Sequence, residues 1–341
     1  MSKYNNIIRH FKGKRLLVIG DVVLDQYIKG SVSRISPEAP VPIVLQEQSF
    51  YTPGGAANVA NNLVSLGSDV TLVGKIGDDI EGNILKHELQ KRHIHTNGLF
   101  IDSSIDTIFK TRIIAQHQQI VRLDREKLIK PGLDLVKEAK VLPFLRRHMK
   151  DFQAVIISDY GKGLIDSRLL AQVHELAAKY KIPVVVDPKL EDLRDYGQVS
   201  CITPNKKEAE IALQNIAVET RKAFGILSTK LESKADIEAN GRGLLNYLGI
   251  ESLLITLGEQ GMYLFEHNKK PLPIPTMARQ VFDVSGAGDT VISVFTLSLA
   301  AGAEKAQAAV IANYAAGIVV GKMGAVAIEL DELKQAIGAQ Q

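Results

Sequence analysis

Short apolar, β-branched runs alternate with helix-length segments along most of this chain. Arg15–Gly20 (RLLVIG) is a near-continuous apolar run, the pattern of a strand covered on both faces. Comparable runs are Val70–Val73, Ala154–Ser158, Val184–Asp187 and Leu253–Thr256. Between them the pattern predicts helices over Ala56–Leu66, Asp79–Lys91, Leu133–Met149, Ser167–Tyr180 and Ile237–Leu248. Such alternation predicts an α/β fold: a mostly parallel sheet with helices on both faces, and chemistry in the loops at the C-terminal strand ends. Val291–Ala301 and Ile311–Val320 are too short to span a bilayer and read as buried helices.

Two segments break the alternation. Tyr27–Leu45 carries Pro37, Pro40 and Pro42 among short apolar stretches, and Thr107–Leu123 is β-branched with no helical period. Both read as extended strands outside the parallel core. Together they predict a small accessory sheet, a discontinuous lid of about residues 27–47 and 105–124 on one domain spanning 1–341. Asn215–Ala235 is polar and helix-compatible, a surface excursion.

Composition narrows the function classes. The 341 residues carry 41 basic and 38 acidic side chains, a net charge of +3, so neither a nucleic-acid nor a membrane partner is expected. The single Cys201 cannot form an intrachain disulfide, and Met1–Lys14 is polar with no signal-peptide core. A cytoplasmic protein is the expectation.

Several glycine-rich pieces fail known spacings. Gly286-Ala-Gly288-Asp-Thr-Val291 has valine where a dinucleotide fingerprint needs its third glycine. Gly317–Met323 has three residues between its glycines instead of the four of a P-loop. His87, His93 and His95 cluster at the end of a polar helix without a cysteine or carboxylate at ligand spacing.

Four pieces carry chemistry. Phe282–Thr290 (FDVSGAGDT) runs straight into the apolar helix at Val291. Gly286, Ala287 and Gly288 let the backbone turn tightly and aim amides outward at a helix start, a ready anion site. Asp289, in the first turn, has two readings: a helix cap, or a base taking a proton from a hydroxyl that attacks a phosphoryl group. Pro53–Asn58 (PGGAAN) opens a helix. Gly54 and Gly55 allow close backbone approach, and Asn58 and Asp21 can meet sugar hydroxyls, though ordinary turn chemistry accounts for the same residues. In Thr203–Glu208 (TPNKKE), Asn205 and Glu208 form a capping pair, or Glu208 holds Mg²⁺ through water. Thr256, Gly258 and Gly261 follow the last predicted strand and are placed to line a nucleotide phosphate.

In this order and at these separations, GG-x-x-N, N-x-x-E, T-x-G-x-x-G and D-x-x-GAGD resemble the ribokinase-like (PfkB) carbohydrate kinases over nearly the whole chain. The resemblance implies a three-layer sandwich with a small β-sheet lid. It implies that Asp289 is the catalytic base and that Gly286, Ala287 and Gly288 form the anion hole. Lys189, Asn205, Glu208, Thr256, Gly258, Gly261 and Asn313 would serve Mg-ATP, while Asp21, Gly54, Gly55 and Asn58 would hold the sugar. Asp283 and Ser285, with backbone near Val319–Gly324, would frame a monovalent-cation site for K⁺, and a homodimer through the lid is expected.

A narrower likeness rests on Ser33–Val44 (SRISPEAPVPIV), His117–Asp124 (HQQIVRLD), Ser158–Gly163 (SDYGKG), Val184–Lys189 (VVVDPK) and Asp283–Ile292. Together these are similar to the D-glycero-β-D-manno-heptose 7-phosphate kinases, which phosphorylate the anomeric hydroxyl to give the 1,7-bisphosphate for ADP-heptose and lipopolysaccharide core. Bifunctional members carry a nucleotidylyltransferase domain after the kinase; a chain stopping at Gln341 is expected to lack it. A phosphorylated sugar needs cations at its distal end, and Lys110, Arg112, Arg122 and Lys162 fall in lid or strand-end segments. The alternatives are another sugar or sugar-phosphate kinase of this type, or a non-catalytic sensor on the same fold.

Overall fold

The structure, a computed structural model, describes residues 3–116, 118–126, 134–189, 192–278, 280–322, 324 and 326–338. Strands among these residues are β1 (Arg15–Gly20), β2 (Val22–Ile35), β3 (Pro42–Gly55), β4 (Asp69–Ile76), β5 (His95–Ile101), β6 (Ile108–Ala115), β7 (Gln118–Arg125), β8 (Ala154–Ser158), β9 (Val184–Asp187), β10 (Cys201–Ile202), β11 (Ser252–Thr256), β12 (Met262–Glu266) and β13 (Leu272–Ile274). The main sheet has the order β13-β12-β11-β10-β9-β8-β1-β4-β5, parallel from β11 to β5, with β12 and β13 added antiparallel at one edge.

The continuous apolar runs follow from this position. Along β1, Leu16 and Val18 join one apolar cluster while Leu17 and Ile19 join the other, so both faces of the strand are covered. The helices Ala56–Ser65, Ala287–Ala300 and Lys305–Val319 lie in the first cluster; Ser167–Tyr180 and Lys234–Leu248 lie in the second. Small buried residues, Ala56, Ala57 and Ala60, line the first of these helices, and Ser293 Oγ of Ala287–Ala300 comes within 3.2 Å of the Val59 carbonyl. That close approach carries Asn58 to Asp289, residues 231 positions apart in the chain.

A second sheet has the order β3-β2-β6-β7, with β2/β3 and β6/β7 antiparallel and β2/β6 parallel. Its strands come from the two segments that lacked helical period; β6 and β7 match the second closely, while β2 and β3 extend well beyond the first. β3 runs through Pro53 to Gly55 and hands the chain directly to the helix at Ala56.

Other differences have local causes. His95 does not end the polar helix; it opens β5 and pairs through Nε2 with Asp69 Oδ1 (2.6 Å). β12 and β13 escape the parallel-strand pattern because they close an edge through short antiparallel returns. The helix predicted over Leu133–Met149 begins outside the described residues at Leu133. A π turn at Lys137–Val141 then leads into Leu142–His148, where Pro143 removes a backbone donor from the ladder. Asn215–Ala235 holds one short helix, Val218–Ala223. His117, in the segment quoted above, also lies outside the described residues. No described helix is long and apolar enough to cross a membrane.

One buried ionic cluster fixes the C-terminal ends of β4 and β5. Lys75 Nζ, nearly solvent-free, donates to Asp102 Oδ2 (3.0 Å) and Asp134 Oδ2 (2.5 Å). Removing the cation leaves two buried carboxylates uncompensated, a loss on the order of 3–5 kcal/mol. Urea unfolding of Lys75→Met should show a loss of that size; a change within about 0.5 kcal/mol would mean the cluster is solvated.

Candidate active site

The strand ends β1, β8, β9 and β11 open on one edge, and the helix Ala287–Ala300 begins there. Gly286 caps it in a left-handed conformation (φ 78°), and Thr290 makes the first regular helical bond, to the Gly286 carbonyl (3.0 Å). Of the three expected outward amides, that of Ala287 is turned to the Val284 carbonyl (3.2 Å). Gly288, in the first turn ahead of Thr290, has open space where a Cβ would stand, with no atom from outside its own helix turn within 4 Å. The Gly288 end of the turn is thus the part with room beside it, at the positive end of the helix dipole.

Asp289 points back into the protein and is 5% exposed. Oδ2 accepts from Asn58 Nδ2 (2.7 Å) and Oδ1 from the Tyr160 hydroxyl (2.9 Å). Burial pushes its carboxyl up to about 6, against the lowering effect of these two donors, and the charge of Asp25 adds to the rise. A carboxylate titrating there is ionised at neutral pH yet basic enough to take a proton. The cap reading fails, because no side chain caps this helix.

Three expected sugar-side residues converge here. Gly54 has no room for a Cβ, which would lie 2.4 Å from Asp25 Oδ2; Gly55 (φ 58°) turns the chain into the helix that carries Asn58. The Asn58 Oδ1 atom is buried without a hydrogen-bond partner among the described residues. Asp21 departs from its expected part: its carboxylate accepts from the amides of Tyr160 (3.0 Å), Lys162 (3.0 Å) and Leu164 (3.3 Å). It anchors a loop and is not free for hydroxyls. Asp25, four residues on, is the carboxylate beside Gly54, and sequence reasoning passed over it because it sits mid-strand in β2.

The expected cations divide. Arg112 Nη1 pairs with Asp25 Oδ1 (2.5 Å) and lines a cleft between the second sheet and the Phe282–Ser285 loop. Burial works against the Arg112 charge, but Asp25 outweighs it and raises its pKa. Lys162 is spent on Glu126 (2.9 Å) and Arg122 on Asp124 (2.8 Å), while Lys110 makes no ion pair among the described residues; none of the three lines the cleft. Lys29 does line it, over the Phe50 ring (5.3 Å), and was missed. The signal was period-two alternation: Asp25, Tyr27 and Lys29 share one face of β2.

Asp289, with Gly286 and Gly288, lines a second cleft together with Asp159, Asp187, Lys189, Asn205, Glu208 and Thr256. Asn205 and Glu208 form the capping pair: Glu208 N donates to Asn205 Oδ1 and Asn205 N to Glu208 Oε2, each 3.0 Å. Glu208 Oε1 remains directed at Lys189 Nζ, 3.6 Å away. Asp187 has no hydrogen bond or ion pair for its side chain among the described residues, and burial, followed by the charges of Asp289 and Glu208, raises its pKa well above the usual range. A lysine opposite two carboxylates beside an open helix start fits a magnesium-bound polyphosphate held largely through water.

A more apolar cleft adjoins it, between Gly258, Gly261, Val284, Asn313, Gly317 and Val320. Gly261 (φ 84°) is obligatory, since a Cβ would meet the Ile274 carbonyl oxygen at 2.1 Å. Asn313 reaches this cleft, but its Nδ2 donates to the Pro275 carbonyl (2.6 Å) and ties down the cleft wall. Asp283 accepts from the amides of Ser285 (2.9 Å) and Gly324 (3.1 Å), which overcome burial and hold its pKa low. That carboxylate closes the loop; Met323, within the backbone expected to join it around a cation, lies outside the described residues.

A family model for the pfkB family carbohydrate kinases matches residues 14–332. The chain belongs to this family. It is 42% identical over 324 residues to the bifunctional protein HldE of Desulfatibacillum aliphaticivorans, covering 95% of this chain and 63% of that protein. With HldE of Geobacter sulfurreducens the identity is 41% over 335 residues, 98% of this chain and 65% of the relative. The chain thus spans just under two thirds of the length of the curated relatives it matches. The backbone resembles Escherichia coli phosphofructokinase-2, solved in complex with substrates and products, with a TM-score of 0.73, 17% identity and coverage of 96% and 99% of the two chains. Arabidopsis thaliana ribokinase, complexed with ribose and ATP, gives 0.69 and 17% over 95% and 99%. The fold is ribokinase-like.

The raised Asp289 pKa has a stability consequence. An acid whose folded pKa lies above its unfolded value of 3.8 destabilises the fold once pH exceeds that value, and the cost is complete above about 6. Asp289→Asn should therefore raise Tm at pH 7.5, with the gain shrinking as pH falls through 6 towards 4. A gain that grows on acidification would contradict the assignment.

Proposed function

We propose that this protein transfers the γ-phosphoryl group of ATP to the anomeric hydroxyl of D-glycero-β-D-manno-heptose 7-phosphate, giving the 1,7-bisphosphate used for ADP-heptose and lipopolysaccharide core. The observation that carries the reading is a buried, basic Asp289 that lines a cleft with carboxylates and a lysine and senses Asp25, whose partner Arg112 lines a second cleft with Lys29. The sugar-phosphate specificity rests on the five sequence segments shared with that kinase group and on the two cations.

In this reading Asp289 takes the anomeric proton and Asn58 offers its unpaired Oδ1 to a sugar hydroxyl. Arg112 and Lys29 hold the 7-phosphate, Arg112 already oriented by Asp25. Bound Mg-ATP supplies the phosphoryl group and neutralises its charge. The Gly288 turn faces the transferred oxygens, and Glu208 and Lys189 position the polyphosphate, Glu208 through metal-bound water. The second sheet acts as the lid that excludes water, and its exposed Ile35, Leu45, Val121 and Leu123 would be covered by a second copy of the chain. Asp283 and Ser285 frame a K⁺ site beside the anion turn, with the Asp283 carboxylate acting only through the loop it closes.

A panel of sugars and sugar phosphates, followed by ADP release, tests the substrate. Heptose 7-phosphate should be turned over fastest, and Lys29→Ala should raise its KM roughly tenfold, the scale of one charge-assisted contact. A preference for an unphosphorylated sugar would overturn the reading. Asp289→Asn should lower kcat by roughly 10²–10⁴ with nucleotide affinity nearly unchanged; near-wild-type turnover would remove Asp289 as the base.

A further inference from the structure

The loop after β8 contains a group that the reading above does not use. Tyr160 lies between Asp159 and Gly161, and three of this loop's amides, those of Tyr160, Lys162 and Leu164, are tied to the Asp21 carboxylate. A second lock holds the same loop. Asp159 Oδ1 accepts from the Gly161 amide (2.8 Å), and Oδ2 accepts from the hydroxyl of the fully buried Tyr196 (2.7 Å). This fixing directs the Tyr160 hydroxyl onto Asp289 Oδ1 at 2.9 Å.

We propose that Tyr160 is a positioning residue for phosphoryl transfer: its hydroxyl orients the Asp289 carboxylate and steadies its negative charge. The inference rests on Asp289 as the base. The surroundings explain the need. From β2, Asp25 faces the site, partly balanced by Arg112 of β6; from β9 comes Asp187; at the end of β1 and in the loop after β8 lie Asp21 and Asp159, both committed to that loop. Across the cleft, Glu208 is paired with Lys189. A base among so many carboxyls needs donors to remain ionised, and the described side chains that donate to it are Asn58 and Tyr160. Burial and the neighbouring Asp289 charge push the Tyr160 hydroxyl well above the ordinary tyrosine range, so it stays protonated and acts as a donor.

The Oδ2 bond from Asn58 and the Oδ1 bond from Tyr160 hold the carboxylate by both of its oxygens. With one donor lost, the carboxyl keeps its burial and its acidic neighbours, so its proton affinity rises. The sign is set: a base that binds its proton more tightly loses activity first at low pH.

Tyr160→Phe removes the hydroxyl and keeps the ring. The acidic limb of its kcat/KM–pH profile should move up by about half to one pH unit, with a larger loss at pH 6 than at pH 8.5 and an unchanged KM for ATP. Replacing Tyr160 by 3-fluorotyrosine, a stronger donor, should move the limb the other way. The ¹³C carboxyl titration of Asp289 in the ligand-free protein, assigned with Asp289→Asn, should rise in Tyr160→Phe in parallel. A limb and a titration that both stay in place would overturn the inference. A raised titration upholds it even where heptose 7-phosphate is not turned over, which separates its failure from failure of the substrate reading.

Discussion

The site depends on one constraint: a carboxylate must be buried at a glycine-rich helix start, the proposed phosphoryl-binding turn, and still be ionised. Burial gives Asp289 the basicity that an exposed aspartate lacks, and it also threatens to protonate the group altogether. The protein balances the two with paired donors from distant parts of the chain. Asn58 arrives on a helix whose alanines permit close packing, and Tyr160 on a loop pinned by Asp21. Much of the layout around the strand ends can be understood as scaffolding for those two hydrogen bonds.

In the proposed reading the same arrangement would separate the two substrates by charge. On one side, Glu208 and Asp187 stand opposite Lys189, a mixture suited to a hydrated metal and a polyphosphate. On the other, Arg112 and Lys29 sit on the inner face of the second sheet with Asp25 as counter-ion. Asp289 lines the first cleft and senses Asp25, the counter-ion in the second, so the proposed proton acceptor and the proposed phosphoryl-binding turn would be consecutive residues of one helix start. Proximity of this kind removes most of the entropic cost of bringing hydroxyl and phosphate together.

The parallel strands β1, β4, β8, β9 and β11 and the Asp289 motif were legible in the sequence because each follows from local rules: an unbroken apolar run for a doubly covered strand, small residues before an acid at a helix start. The edge strand β5 and the two-residue β10 lack such a run. The second sheet was legible as extended segments but not in its extent, because strand ends such as Pro53–Gly55 read equally as a turn. The site was harder where a residue's task depends on a partner far along the chain. Asp21 followed the first strand and looked free, yet a loop about 140 residues away takes its carboxylate. Asp25 and Lys29 carry no motif of their own and are marked only by period-two alternation, while Tyr160 lies in the SDYGKG segment at a strand end, where nothing local shows its distant partner. The cations illustrate the limit, since Lys162 and Arg122 lie in suitable segments but are already paired with Glu126 and Asp124.

The central claim is that Asp289 deprotonates an anomeric hydroxyl on a sugar already carrying a distal phosphate. The most direct measurement is ³¹P NMR of the product formed from heptose 7-phosphate and ATP. The account predicts a second sugar phosphorus signal coupled to the anomeric proton, equal in intensity to the retained 7-phosphate. A new phosphate on any other carbon, or ADP released without a second sugar phosphate, would contradict it.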